Sequence, residues 1–255
     1  MDFGAPARPV PAMVADALRS GGARCQQRAA AVGPSLAGEA ERLTWLGTVG
    51  VAASEVVLLH REPDGHEWLV TRPPPGTPAS AGEHHFDPQG LVLGVARLLR
   101  QVHTLPVEDC PFMTDTDGLV AAARFRTETG VVPAVGFDEA YRGFEPADLL
   151  ERVLAIRPEE GGDPVVIHGA PYLEHLWLDR GQTGGVVGVG CLGVGDLHLD
   201  LAIVARSLVA HLGPEAVAAF LEAYDRAAPD DPAQPSLLRL DFFAALSQFL
   251  PGPGD

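Results

Sequence analysis

The chain has 255 residues, 46% hydrophobic and 20% charged, which is enough apolar material for one large domain or two lobes. Thirty-four acids against 18 bases leave a formal charge of −16, which disfavours nucleic acid and anionic membranes and favours cationic ligands. All 18 bases are arginine; the sequence contains no lysine. Its three cysteines, Cys25, Cys110 and Cys191, are far apart, which excludes a CxxC zinc site and a disulfide framework. The odd cysteine count, with no apolar run long enough for a signal peptide or a membrane span, predicts a cytoplasmic protein.

Residues 1–35 are rich in Ala, Gly, Pro and Arg and carry weak periodicity. A short helix is predicted around Pro11–Arg19, followed by a segment that is either partly disordered or in poor strands. Leu36, Leu43 and Leu46 share a face of a predicted helix over 36–46. Two strands, 55–59 and 68–71, flank an Asp64-Gly65 turn signal. Residues 73–83 read as a Pro/Gly/Ser-rich connector, and the chain is mostly helical after it. Helices are predicted over 88–103, 116–129, 146–156, 197–212, 214–226 and 236–249. Short strands are expected at 165–168 and 177–178, with a glycine-rich strand-turn at 184–190.

From Val165 to Leu201 the chain reads VVIHGAPYLEHLWLDRGQTGGVVGVGCLGVGDLHLDL. This stretch, together with EAERLTWL (39–46), EWLVTRPPPGTPAS (67–80) and LLRQVHTLPVEDCPF (98–112), resembles the aminoglycoside phosphotransferases, the 3'-phosphotransferase branch in particular. The resemblance rests on the order and spacing of these segments and runs from about Leu36 to the C-terminus. It implies an α+β, protein-kinase-like two-lobed fold with a reduced N-terminal lobe and a mainly helical C-terminal lobe. The expected organisation is a poorly defined segment at 1–35, a reduced N-lobe and linker at 36–80, and a helical C-lobe with a degenerate catalytic loop at 81–255.

The resemblance also exposes what has changed. The family's HGD motif reads His168-Gly169-Ala170 here, so the catalytic base falls on a methyl group that cannot accept a proton. His168 keeps the motif's structural histidine. The metal-binding Asn falls at His175 and the metal-binding Asp at Gly188, whereas Mg²⁺ prefers hard oxygen ligands. Glu39 matches the glutamate that pairs with the nucleotide lysine, and the lysine itself falls near Arg28–Ala31, where none exists. On the substrate side, Asp138 and Glu139 remain in the loop that holds cationic aminoglycosides, while the family's C-terminal acidic pair falls at Ser247-Gln248. Asp196 and Asp200 correspond to acids that support the catalytic loop. A metal held by His168, His175 and His198 is a separate possibility, weaker than a structural role for each.

Two functions follow. The first is an aminoglycoside phosphotransferase-like pseudokinase, catalytically inactive, with a binding or regulatory role toward a cationic small molecule or a protein partner and with no cofactor. The alternative is an active ATP- and Mg²⁺-dependent phosphotransferase acting on a hydroxyl of an aminoglycoside or related molecule. That alternative requires displaced groups: Glu174 as base, and Asp179 or Asp196 as metal ligand.

Overall fold

The computed structural model describes residues 8–19, 21–28, 35–132, 137–159, 164–228 and 235–252. The small lobe is a three-stranded antiparallel sheet, ordered β1 (Arg24–Arg28), β3 (Glu67–Arg72), β2 (Glu55–Arg61). The register runs from Arg24 opposite Thr71 to Arg28 opposite Glu67. β1 lies inside the stretch that the sequence leaves undefined. Its residues, RCQQR, carry neither alternation nor β-branching, and pairing with the apolar β3 supplies what propensity does not. Helix α1 (Ala12–Leu18) buries Val14 against Trp68 and Val70.

Helix α2 (Leu36–Thr48) starts at Ser35, whose Oγ accepts from the Gly38 amide at 3.0 Å. Glu67 of β3 accepts from the Leu36 amide at 2.7 Å, which ties the sheet to the start of the helix. Leu36, Leu43 and Leu46, three and seven residues apart, turn inward and are buried.

The connector is more ordered than its composition suggests. It contains β4 (Thr77–Pro78), which pairs with β7 (Leu176–Asp179), and β7 pairs in turn with β8 (Gln182–Val186). The linker is thereby hydrogen-bonded into the large lobe. A second small sheet, ordered β5 (Met113–Thr114), β9 (Gly193–Gly195), β6 (Val165–Ile167), sits behind the motif loops.

Around these sheets pack α3 (Pro88–His103), α4 (Thr116–Glu128), α5 (Pro146–Ala155), α6 (Leu197–Leu212), α7 (Glu215–Arg226) and α8 (Leu237–Leu246), the last followed by a 3₁₀ turn at Ser247–Phe249. Aspartates cap α3, α4 and α6, and Ser236 caps α8. One hydrophobic cluster runs from Leu43 and Leu46 through Leu98 and Leu99 of α3 to Val204 and Phe220. The lobes therefore share a core. A second cluster joins α4, α5 and α8 around Phe242, Phe243 and Phe249. Among the described residues no helix is long and apolar enough to cross a membrane.

Candidate functional site

Ile167 ends β6, and the next residues form a loop whose backbone is held from below by one carboxylate. Asp200, in the first turn of α6 and fully buried, accepts from the His168 amide at 2.7 Å and from the Gly169 amide at 2.8 Å. Its third partner is His103 of α3, whose Nε2 lies 3.0 Å away. The Nδ1 of His103 meets the Tyr224 hydroxyl of α7 at 2.5 Å. These distances are met together when His103 donates from Nε2 to the carboxylate and accepts at Nδ1 from the tyrosine. A buried carboxylate is stable only when its charge is met by donors in this way. Sequence reading singles out Asp200 but not His103 or Tyr224, which lie 97 residues before and 24 residues after it in the chain.

Gly169 adopts φ +82°, and a Cβ there would run into the Cys191 carbonyl, so glycine alone lets the two loops touch. His168 is fully buried. Its Nε2 lies 3.0 Å from the Val187 carbonyl, and its Nδ1 accepts from the Ala170 amide at 3.3 Å. A neutral ring satisfies both contacts. Burial, with a smaller push from His175, lowers its pKa to about 4 against the opposing pull of Asp200.

Between Ala170 and Gly188 lies an imidazole, that of His175. His175 donates from Nδ1 to the Ala170 carbonyl at 2.8 Å and lies parallel to His168, with ring centroids 6.1 Å apart. Gly188 has φ +65°, and a Cβ built there would sit 2.9 Å from the His175 ring. The side chain at 175 thus occupies the space that a side chain at 188 would need. Position 170 offers a methyl group, 188 a hydrogen, and the Ala170 and Val187 carbonyls already accept from imidazoles. This arrangement does not suit Mg²⁺, which needs several oxygen donors in near-octahedral array. His198 does not join the other two histidines: its Nδ1 is 2.6 Å from Asp196 and its Nε2 accepts from the Ser236 amide at 2.9 Å. Among the described residues no three His, Cys, Asp or Glu side chains are grouped to hold a metal.

Glu39 is buried in the first turn of α2. Burial raises its pKa, and Arg28, a hydrogen bond with Gln26, and Arg42 work against that rise. Gln26, two residues before the window in which the resemblance places the lysine, reaches Glu39 from β1 by a hydrogen bond. Arg28 acts on Glu39 through its charge, and positions 29–31 lie outside the described residues. Arg24, two residues before Gln26 and on the same strand, lays its guanidinium over the Trp177 ring of β7 at 4.7 Å. This cation–π pair spans the two lobes.

Asp138 is engaged by the protein itself. Arg206 of α6 donates to both of its oxygens, at 2.6 and 2.9 Å. Gln248 donates to the carboxylate at 2.8 Å and accepts from the Asp138 amide at 3.0 Å. Arg206 also reaches Ser247 Oγ at 2.7 Å. Burial raises the Asp138 pKa, but Arg206 and Gln248 outweigh it and hold the group below the usual range. Glu139 begins a 3₁₀ turn and is exposed. Asp196 caps α6 and pairs with Arg239 at 2.6 Å. Burial opposes its ionisation, yet the bonds from His198 and Arg239 hold its pKa at about 2. Glu174 faces His211 at 3.7 Å, and Asp179 lies beside Arg180 at the β7–β8 turn.

The family model for the phosphotransferase enzyme family matches residues 25–238. An aminoglycoside 3'-phosphotransferase of Streptomyces fradiae is 37% identical over 195 residues, covering 74% of this chain and 72% of that protein. A streptomycin 3''-kinase of Streptomyces griseus is 34% identical over 239 residues, covering 89% and 85%. Among solved structures, an aminoglycoside 3'-phosphotransferase of type VIII superposes with a TM-score of 0.78 at 33% identity, covering 89% of this chain and 85% of that one.

Proposed function

The chain belongs to the phosphotransferase enzyme family and has its two-lobed α+β fold, and from that premise we propose that it is a pseudokinase, a binding or regulatory protein that transfers no phosphoryl group. The observation that carries this reading is the His175 ring lying over Gly188 and bonded to the Ala170 carbonyl. Phosphoryl transfer depends on positioning and charge, supplied by a base, metal-held phosphates and a cation on the nucleotide. Here an imidazole lies over the second metal position, and the chain has no lysine to meet Glu39.

Of the three acids that could have replaced the lost groups, Asp196 is engaged by Arg239 and His198, while Glu174 lies toward His211 and Asp179 beside the exposed Arg180. The relatives are named for aminoglycosides, which are polycations. In this chain the matching carboxylate, Asp138, is already paired with Arg206 and Gln248, so a cationic ligand would compete with them or rely on Glu139 and the general acidity of the surface. We place the protein in the cytoplasm, where its three free cysteines stay reduced.

The test is calorimetric titration with Mg²⁺–ATP alongside a phosphorylation assay on a kanamycin-type substrate. We expect no product above the protein-free blank, from the native chain or from Ala170→Asp, because the metal and lysine positions remain empty of suitable groups. Steady product formation by either chain overturns the reading.

A further inference from the structure

Three arginines line one concavity of about 530 Å³ between α3, α7 and the start of β8. Arg97, Arg100, Gln101 and Thr104 share a face of α3 at three- and four-residue spacing; Thr183 and Arg226 close the other sides. Among the described residues no carboxylate lines it. Asp225, 4.0 Å from Arg100, and Glu222, 3.5 Å from Arg226, flank the cavity without lining it.

Arg100 is the built part of the site. It is 6% exposed, its guanidinium stacks on the Tyr224 ring at 4.0 Å, and its Nε donates to the Tyr224 carbonyl at 3.1 Å. A guanidinium fixed in this way loses little freedom when it binds a further partner. Arg100 and Arg226 also sit in the last turns of their helices, where a cation offsets the carbonyl ends. That accounts for each of them singly. It does not account for Arg97, an exposed cation a turn earlier that repels Arg100 and has no ion pair among the described residues.

We infer that this cavity binds the phosphate group of an anionic ligand, whether inorganic phosphate or a phosphate monoester. Guanidinium forks match the geometry of phosphate oxygens, and the Thr183 hydroxyl and the Gln101 amide are further donors. No apolar side chain larger than that of Ala227 lines the cavity, so recognition rests on the phosphate and not on what it is attached to. This inference does not depend on the pseudokinase reading, because none of these residues belongs to the candidate site.

The experiment follows the Thr104 and Thr183 amide resonances of the full chain during titration with inorganic phosphate, at ionic strength held constant with chloride. Saturable shifts with a Kd in the millimolar range are expected, at least about tenfold weaker in Arg97→Gln/Arg226→Gln, whose exposed substitutions leave the fold intact. AMP, a phosphate monoester, is expected to bind with the same affinity as phosphate and to lose it in the same variant. Linear, chloride-like shifts in the native chain, or saturable binding unchanged by the double substitution, overturn the site. AMP binding about tenfold tighter than phosphate overturns the assignment to the phosphate group alone.

Discussion

At the scale of single residues, the exchange between positions 175 and 188 makes a sharp prediction. Gly188→Asp, which would restore the carboxylate that the family resemblance implies there, forces a side chain into φ +65° and a Cβ to 2.9 Å from an imidazole. It should cost about 1–3 kcal/mol by urea denaturation. His175→Asn should recover part of that cost, leaving a coupling above about 0.5 kcal/mol in the double-mutant cycle. Additive losses would mean that the ring does not hold that space. A second residue prediction concerns acid. The folded chain keeps His168 neutral down to about pH 4, whereas an unfolded histidine titrates near 6.5. The unfolded state therefore gains a proton first. Stability from this group is intact above pH 6.5 and is lost as the pH falls from 6.5 toward 4, by about 3 kcal/mol at most. Urea midpoints measured across that window should fall for the native chain and fall less for His168→Gln; parallel curves would show that another group is responsible. What the sequence makes visible at this scale is identity. Ala170, His175 and Gly188 are named through the resemblance to the family's motifs, but that His175 lies over Gly188 depends on where the 186–188 backbone returns. Likewise Asp138 reads as a loop acid, and only the fold brings Arg206 and Gln248, 68 and 110 residues away, onto its carboxylate.

At the scale of elements, β6, α3, α6 and α7 are joined at one point by Asp200, His103 and Tyr224. Asp200→Ala strips the partner from two buried amides and an imidazole, and should lower stability by about 3–5 kcal/mol. Tyr224→Phe removes one hydroxyl at the end of the chain of bonds and should cost about 1 kcal/mol. If thermal melts rank the two equally, the chain is not anchored at the carboxylate. The long helices are legible in the sequence because they are amphipathic: Leu91, Val95, Leu98, Leu99 and Val102 mark the inner face of α3 at helical spacing. The short strands are less so. β1 has no alternating pattern, and β4 is two residues in a Pro/Gly-rich stretch. Both exist because a neighbouring strand, β3 or β7, offers an edge.

For the molecule as a whole, a charge of −16 on 255 residues means self-repulsion in the compact state. Raising sodium chloride from about 0.02 M to about 0.3 M should increase the melting temperature by a few degrees, since screening acts within about 10 Å. A decrease would show that ion pairs such as Arg206–Asp138 and Arg239–Asp196 outweigh the repulsion. The two-lobed plan is legible from the order of motifs. The core shared between the lobes is not, because it depends on α2 and α3 meeting across the linker.

The contact between Gly169 and the Cys191 carbonyl has a practical consequence. Thr114 also donates to that carbonyl, at 2.8 Å, and burial raises the Cys191 thiol pKa. Cys191 is of intermediate exposure, and a thiol-directed reagent reaches its sulfur faster when the two loops part. In a chain carrying Cys25→Ser and Cys110→Ser, the labelling half-time at Cys191 becomes a stopwatch for that parting. Any molecule that slows the stopwatch without raising the global melting temperature to match has found its way to these loops, whatever its chemistry.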